Sequence, residues 1–313
     1  MVQAIRQWWK KITDVLKAVG FHPSLADPCL FVKKQEKDEP PAFVILYVDD
    51  GGIIGTDEVI KQVIHHMSKV FTIKDLGPMK HFVGCHLIEN QLKDTMWIHQ
   101  PKLITHLEES FMDIIKHERS YKTPGAPKTV VLRPTDTDTL ISSKDQSMYR
   151  SGVGMLLYLI KHSRPDLSNA VRELTKVLDG ATQAHMKAMY RVIKFVFDTK
   201  NYALKLKPDT IQGRLILKGV SDSEFAGDRN IRKSVYGYII YYCGAPISWK
   251  SKAGQSVTLS STEAEYYAAS ETAKELVFVS NLPKSMKVNY ESPVSLLMDN
   301  TGAIYLANIL NLD

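Results

Sequence analysis

Two groups of carboxylates in this chain have the types and spacing for metal-assisted chemistry. The first is the adjacent pair Asp49-Asp50, which ends the apolar run Phe43-Val44-Ile45-Leu46-Tyr47-Val48. Gly51-Gly52 and a second apolar run, Ile53-Ile54, follow it. That pattern predicts a β-hairpin with the aspartates at or beside the turn. Adjacent strand residues point to opposite faces, but a turn relaxes the rule and can bring both carboxylates towards one metal pair. Hard oxygen ligands of this kind hold Mg²⁺ together with substrate phosphates. The alternative is a solvated turn, for which Asp and Gly are ordinary residues. The second group is Asp222, Glu265 and Asp299. Their placements predict one acid at the end of a strand, one in the first turn of a helix, and one at the end of a later strand. Sites in α/β sheets are built at such strand ends and helix N-termini. Three converging carboxylates could hold two Mg²⁺ ions and aim water at a phosphodiester. Each acid also has a structural alternative. Thr262-x-x-Glu265 has the form of a capping box, Asp299 could cap a helix, and Asp222 could be a loop acid.

The elements that must position these groups are legible as periodicity. Residues 4–20 predict an amphipathic helix closed by Gly20, with Ile5, Trp8, Trp9, Ile12, Val15, Leu16 and Val19 on one face. Thr56 or Asp57 can cap the next helix, which runs to about Val70. Strands are expected near 80–88 and 93–99, then a helix from Pro101 to Phe111. Residues 122–147 are rich in Thr, Pro, Asp and Ser and read as a linker. Helices are expected over 148–161, 166–179 and 183–199. Lys187, Arg191, Lys194 and Lys200 give the third a basic side, read as a solvated face rather than a nucleic-acid track. A second domain is expected to open near Gly213. It carries strands near 235–243 and 246–250, a helix to about Leu282, a strand from Val294 to Met298, and a helix from Thr301.

The chain has 313 residues, enough for two domains with sizeable cores. A formal net charge of +6 mildly favours a polyanionic partner. Cys29, Cys85 and Cys243 form no CxxC pair and suit a reducing compartment. The first residues lack the apolar core of a signal peptide, and no apolar run approaches the ~20 residues of a membrane span. An intracellular protein is therefore expected, cytoplasmic or nuclear.

Beyond these local readings, the motifs fall in the order of a known family. Tyr47-Val48-Asp49-Asp50 resembles the YxDD box of reverse transcriptases. Arg6-Gln7-Trp8-Trp9-Lys10 and Ala26-Asp27-Pro28-Cys29-Leu30-Phe31 resemble the stretch before that box, and Asp75-Leu76-Gly77-Pro78-Met79 the stretch after it. Tyr149-Arg150-Ser151-Gly152 and Arg164-Pro165-Asp166 resemble the region joining two enzymes. Ser221-Asp222, Ala226-Gly227-Asp228, Ile247-Ser248-Trp249-Lys250, Leu259-Ser260-Ser261-Thr262-Glu263-Ala264-Glu265-Tyr266 and Asp299-Asn300 resemble a ribonuclease H. Together these resemble the C-terminal part of the Pol polyprotein of copia-type LTR retrotransposons, over nearly the whole chain.

The resemblance implies an α/β (α+β) fold in parts. Residues 1–121 would be a partial reverse-transcriptase palm region, 122–147 a linker, 148–212 a helical thumb or connection, and 213–313 a C-terminally truncated ribonuclease H-like domain. It implies RNA-directed DNA synthesis and hydrolysis of RNA–DNA hybrids, with Mg²⁺ as cofactor and Mn²⁺ as the alternative. The partners would be an RNA–DNA hybrid or primer–template and dNTPs, and the setting a virus-like particle. Asp49 and Asp50 would be polymerase metal ligands; Asp222, Glu265 and Asp299 would be ribonuclease metal ligands. Glu263 lies two positions from Glu265, about 200° around a helix, so Glu265 is preferred. The family's third polymerase Asp and a fourth ribonuclease acid have no counterpart here, and Asp313 stands in the wrong context for the latter. Polymerase activity of this chain alone is therefore not expected, and a non-catalytic remnant that at most binds nucleic acid is the alternative. Phe225 stands where the family has Trp.

Overall fold

Hydrophobic periodicity and chain punctuation account for most of the elements in the computed structural model, which describes residues 2–33, 40–126, 131–209, 215–288 and 290–309. Gly213 and Asp313 lie outside the described residues. The chain divides into two units, residues 1–83 with 277–290 and residues 84–276 with 291–313.

In the first unit, helix α1 (Val2–Lys17) ends ahead of Gly20, whose φ of +86° is open to glycine. Strands β1 (Phe21–Pro23), β2 (Leu30–Lys33), β3 (Phe43–Tyr47) and β4 (Asp50–Ile54) form an antiparallel sheet in chain order. Helix α2 (Asp57–Ser68) follows, with Thr56 Oγ1 accepting from the Val59 N–H, and β5 (His81–Phe82) closes the unit's first segment. Ile12, Leu16, Phe21, Phe31, Val44, Leu46 and Val63 make the core. Burying such a side chain stabilises by about 1.5–3 kcal/mol. Trp8, expected on the buried face of α1, is exposed.

The second unit begins with β6 (Cys85–Glu89) and β7 (Met96–His99), antiparallel to each other, followed by α3 (Pro101–Ile115). The strand expected over 80–88 is interrupted by Val83 and Gly84, both at positive φ. Helices α4 (Ser143–His162), α5 (Ser168–Thr175) and α6 (Gln183–Asp198) pack with α3 around Leu107, Phe111, Tyr149, Val153, Leu156, Leu167, Leu174 and Ile193. A short strand, β8 (Leu204–Leu206), then pairs with β7.

Two readings of this region change. The stretch expected as a linker is strapped to the bundle: the Val131 N–H donates to Glu173 Oε2 (2.7 Å), the Ile141 N–H donates to the Ala181 carbonyl, and α4 begins at Ser143 under a Ser142 cap. The compositional signal marks loop chemistry, and hydrogen bonds rather than apolar periodicity hold the loop down. The basic side of α6 is also largely spent internally. The Arg191 guanidinium stacks on Tyr121 at 4.0 Å, Lys194 pairs with Asp198, and Lys200 with Glu108.

The remainder of the unit is a mixed sheet ordered β11-β10-β9-β12. Strands β9 (Leu217–Glu224), β10 (Val235–Tyr242) and β11 (Ala245–Ala253) are antiparallel neighbours. The long helix α7 (Ser261–Ser285), whose residues from 277 on fall in the first unit, carries the chain over to β12 (Ser295–Leu297), which pairs parallel to β9. A parallel pair requires such a crossover. Gly219 in β9 allows it: a Cβ there would lie 2.8 Å from Leu276 Cδ1 and 3.0 Å from Thr272 Cγ2 on α7. Helix α8 (Thr301–Ile309) follows β12.

Candidate metal centre

The crossover brings three acids that are far apart in sequence to one end of the sheet. Asp222 lies near the end of β9 and is exposed. Asp299 stands two residues beyond β12, the parallel neighbour of β9, and is exposed. Glu265 lies in the second turn of α7 and is buried. One carboxylate oxygen from each lies within 4.8 Å of the others. Among the described residues this is the one cluster of three or more His, Cys, Asp or Glu groups with that geometry.

Local hydrogen bonds show why each acid sits there. Ser260 caps α7: its Oγ accepts from the Glu263 N–H (3.1 Å), and Glu263 Oε2 accepts from the Leu259 N–H (2.6 Å). The capping role considered for Glu265 thus belongs to Glu263, two residues earlier. Glu265 faces β9 instead, where its Oε1 accepts from the Ser223 N–H (3.1 Å). Next to Asp299, Asn300 Oδ1 accepts from the Ala303 N–H (2.9 Å) and caps α8, so the cap is Asn300 and Asp299 is left to the cluster. Gly302 permits the close approach of α8: a Cβ there would lie 3.0 Å from Thr262 Oγ1.

The cluster carries uncompensated negative charge. Among the described residues no Lys, Arg or His pairs with Asp222, Glu265 or Asp299. Glu265 Oε2 is buried with no hydrogen-bond partner. Burial, chiefly, raises the Glu265 carboxyl above its usual range; the charges of Asp222 and Asp299 add to this, and the Ser223 hydrogen bonds oppose it. A buried carboxylate oxygen without a donor, beside two further carboxylates, is the donor set of a hard divalent cation. The residues present therefore fit Mg²⁺ or Mn²⁺. Ser223, whose backbone orients Glu265, was not singled out in the sequence, because a backbone donor leaves no side-chain signature.

The first pair is placed differently. Val48 and Asp49 form the two-residue loop between β3 and β4, and Asp50 pairs with Tyr47 across it. Val48 has φ +51°, an unfavourable value for a β-branched residue. Both aspartates are exposed. Among the described residues no third ligand group joins them in a cluster. Gly51 and Gly52 lie within β4 rather than in the turn. Met79 covers Gly52, whose missing side chain leaves room for the Met79 methyl.

A family model described as reverse transcriptase (RNA-dependent DNA polymerase) matches residues 1–112. The Pol polyprotein of the tobacco (Nicotiana tabacum) transposon TNT 1-94 is 31% identical over 310 residues, which covers 97% of this chain and 23% of that protein. The Pol polyprotein of transposon RE2 from Arabidopsis thaliana is 32% identical over 308 residues, 97% of this chain and 20% of its own length. Over nearly its whole length the chain is similar to these retrotransposon Pol polyproteins, and its first 112 residues match the reverse-transcriptase model. It spans about a fifth of the length of these relatives. A putative transposon Ty5-1 protein of Saccharomyces cerevisiae is 27% identical over 276 residues, 88% of this chain and 86% of that protein. No solved structure matches the chain. Among the described residues no helix is long and apolar enough to cross a membrane.

Proposed function

We propose that residues 215–309 act as a ribonuclease H-type nuclease on RNA–DNA hybrids, with Asp222, Glu265 and Asp299 as its metal ligands. The convergence of these three carboxylates, with the buried and unpartnered Oε2 of Glu265 among them, carries the reading. Bound Mg²⁺ would supply Lewis-acid stabilisation of the charge that develops on the attacking and leaving oxygens. The chain's own part is to hold the three carboxylates together. The Ser223 N–H fixes Glu265, and the β9–β12 pairing sets the spacing of Asp222 and Asp299. The two exposed acids leave the cluster open on the side a phosphodiester would approach.

For the β3–β4 hairpin, the reading is that of a polymerase YxDD turn. Asp49 and Asp50 would bind metal against an incoming nucleotide's phosphates. Because the described residues place no third carboxylate beside them, this 313-residue chain alone is proposed not to extend a primer. Primer extension by the purified chain on an RNA template would overturn that part.

The nuclease reading is tested with a hybrid labelled on its RNA strand, incubated with the purified chain in Mg²⁺. The expected result is cleavage of the RNA strand by the wild type and a fall of more than about 100-fold in the Asp222→Asn variant, since even outer contacts to a metal site are worth 10–100-fold. A folded wild type that binds the hybrid and leaves it intact would favour the non-catalytic remnant.

A further inference from the structure

Between β9, which carries Asp222, and α7, which carries Glu265, the second unit holds a pair of buried hydroxyls, Ser234 and Thr258. Ser234 is 5% exposed and Thr258 6%, and Ser234 Oγ and Thr258 Oγ1 lie 2.6 Å apart. Ser234 stands immediately ahead of β10, whose first residue, Val235, pairs with Glu224 of β9. Its Oγ also accepts from the Ala226 N–H (3.0 Å), and its carbonyl accepts from the Gly254 N–H just beyond β11 (2.8 Å). One serine therefore gathers three segments: the exit of β9, the exit of β11 and the approach to α7.

These segments bear on the cluster. Ala226 lies four residues beyond Asp222 and has φ +51°, a left-handed value seldom taken by a residue with a Cβ. The hydrogen bond from its N–H to Ser234 holds that turn in place, and the Gly227 N–H closes it by donating to the Glu224 carbonyl (3.2 Å). Thr258 lies two residues ahead of the Ser260 cap and seven ahead of Glu265. The start of α7 also bears on Asp299, because a Cβ at Gly302 of α8 would lie 3.0 Å from Thr262 Oγ1. A shift of this helix start would move Glu265 against Asp222 and press on the helix that follows Asp299. The Ser223 N–H orients the tip of the Glu265 side chain, but it does not fix where the helix begins. A hydrogen bond between two buried hydroxyls does so with direction, and removing one partner leaves the other unsatisfied.

We propose that Ser234 and Thr258 are positioning residues for the cation site: their hydroxyl pair sets the start of α7 against the end of β9, and with it the spacing of the Glu265 and Asp222 carboxylates. The inference rests on the reading of the three acids as one cation site and deepens it. Neither hydroxyl bonds to a cluster acid, so the effect is transmitted through the backbone of β9 and α7. Mg²⁺ demands near-ideal octahedral geometry, and a small displacement of one carboxylate is therefore felt as lost affinity. Thr258→Val removes the hydroxyl at nearly the same shape, whereas Thr258→Ser keeps it.

The test is a Mn²⁺ titration of the full chain followed by electron paramagnetic resonance, with hybrid cleavage kinetics on the same preparations. Thr258→Val and Ser234→Ala each remove one hydroxyl of the pair. Thr272→Val is the control, deleting a fully buried hydroxyl of α7 that donates to the Ala268 carbonyl of its own helix (2.7 Å). Thr258→Val and Ser234→Ala are expected to lose about tenfold in Mn²⁺ affinity, the lower end of what outer contacts to a metal site are worth, and a similar factor in kcat with KM unchanged. Thr258→Ser and Thr272→Val should stay within about twofold of the wild type. Wild-type Mn²⁺ affinity in both Thr258→Val and Ser234→Ala, even with a lowered urea midpoint, would make the pair merely structural and overturn the proposal. A loss in Thr258→Ser or Thr272→Val equal to that in Thr258→Val would trace the effect to packing and overturn it too. Failure of both hydroxyl-deleting variants to fold would make the pair a requirement of folding and overturn the positioning role. A wild type that binds Mn²⁺ with this dependence on the pair but leaves the hybrid intact would uphold the positioning role and remove the nuclease reading. A wild type that binds no Mn²⁺ would remove the cation site and the positioning role with it.

Discussion

At the scale of single residues, the two glutamates at the start of α7 divide two jobs that sequence alone leaves tangled. Glu263 satisfies the Leu259 N–H at the helix start, whereas Glu265 accepts from Ser223 and joins the cluster. Glu263→Gln is therefore expected to keep hybrid cleavage within a few-fold of wild type and to cost about 1 kcal/mol of stability, as a weakened cap does. Urea unfolding and the cleavage assay on the same preparation would separate the two effects. Val48 supplies a second residue-scale test. A β-branched residue at φ +51° carries strain of roughly 1–3 kcal/mol. The entropic cost of a glycine is about 0.5–1 kcal/mol, which is smaller. Val48→Gly should accordingly raise the unfolding midpoint, and a lowered midpoint would show that the valine side chain packs to more effect than its exposure suggests. The cluster acids were legible in the sequence because strand ends and a helix start announce themselves by pattern. The assignment of caps was not. Ser260, Thr262, Glu263 and Glu265 offer two overlapping capping boxes, and the helix starts that choose between them are two residues apart.

At the scale of elements, the placement of α7 on β9 depends on Gly219. An alanine Cβ at this position would meet Leu276 and Thr272 atoms at 2.8 and 3.0 Å, so Gly219→Ala forces the helix outward or the side chains aside. The expected cost is about 1–3 kcal/mol, typical of overpacking, read as a lower urea midpoint. Helix α6 carries a pH-sensitive start. The Thr182 N–H donates to His185 Nδ1 (2.9 Å), which requires the neutral ring. Burial, chiefly, lowers the His185 pKa below its usual 6.5, against opposing effects of the Leu132 backbone and the Asp138 charge. The unfolded chain therefore binds this proton more readily than the folded one. Stability from this group is full above about pH 6.5 and falls as acidification proceeds from there towards the lower folded pKa. His185→Gln, which keeps an acceptor at the same helix position, should flatten that dependence in thermal melts between about pH 7 and 5.5. Most helices and strands were legible from periodicity to within a few residues. The exceptions have physical causes. The 122–147 stretch lacks apolar repeats because backbone and side-chain hydrogen bonds, such as Val131 to Glu173, tie it to the bundle. The basic side of α6 reads as solvated in sequence, since a stacking partner such as Tyr121 is remote along the chain.

For the whole molecule, one unit holds a carboxylate cluster and the other an exposed Asp-Asp hairpin. Three carboxylates held together without a counter-charge oppose folding, and a cation bound among them would relieve that opposition. Ligands that bind only the folded state stabilise it by mass action, about 2.7 kcal/mol at a hundredfold excess over Kd. Mg²⁺ should thus raise the thermal midpoint of the wild type, and Asp222→Asn should lose most of that gain. Everything proposed for the nuclease depends on Asp222, Glu265 and Asp299 forming one cation site. A titration of the purified chain with Mn²⁺, following free Mn²⁺ by electron paramagnetic resonance, reads that site without requiring turnover. Saturable binding by the wild type is expected, with a loss of at least about tenfold in affinity for both Asp222→Asn and Glu265→Gln. Binding that is unchanged in both variants would contradict the shared site.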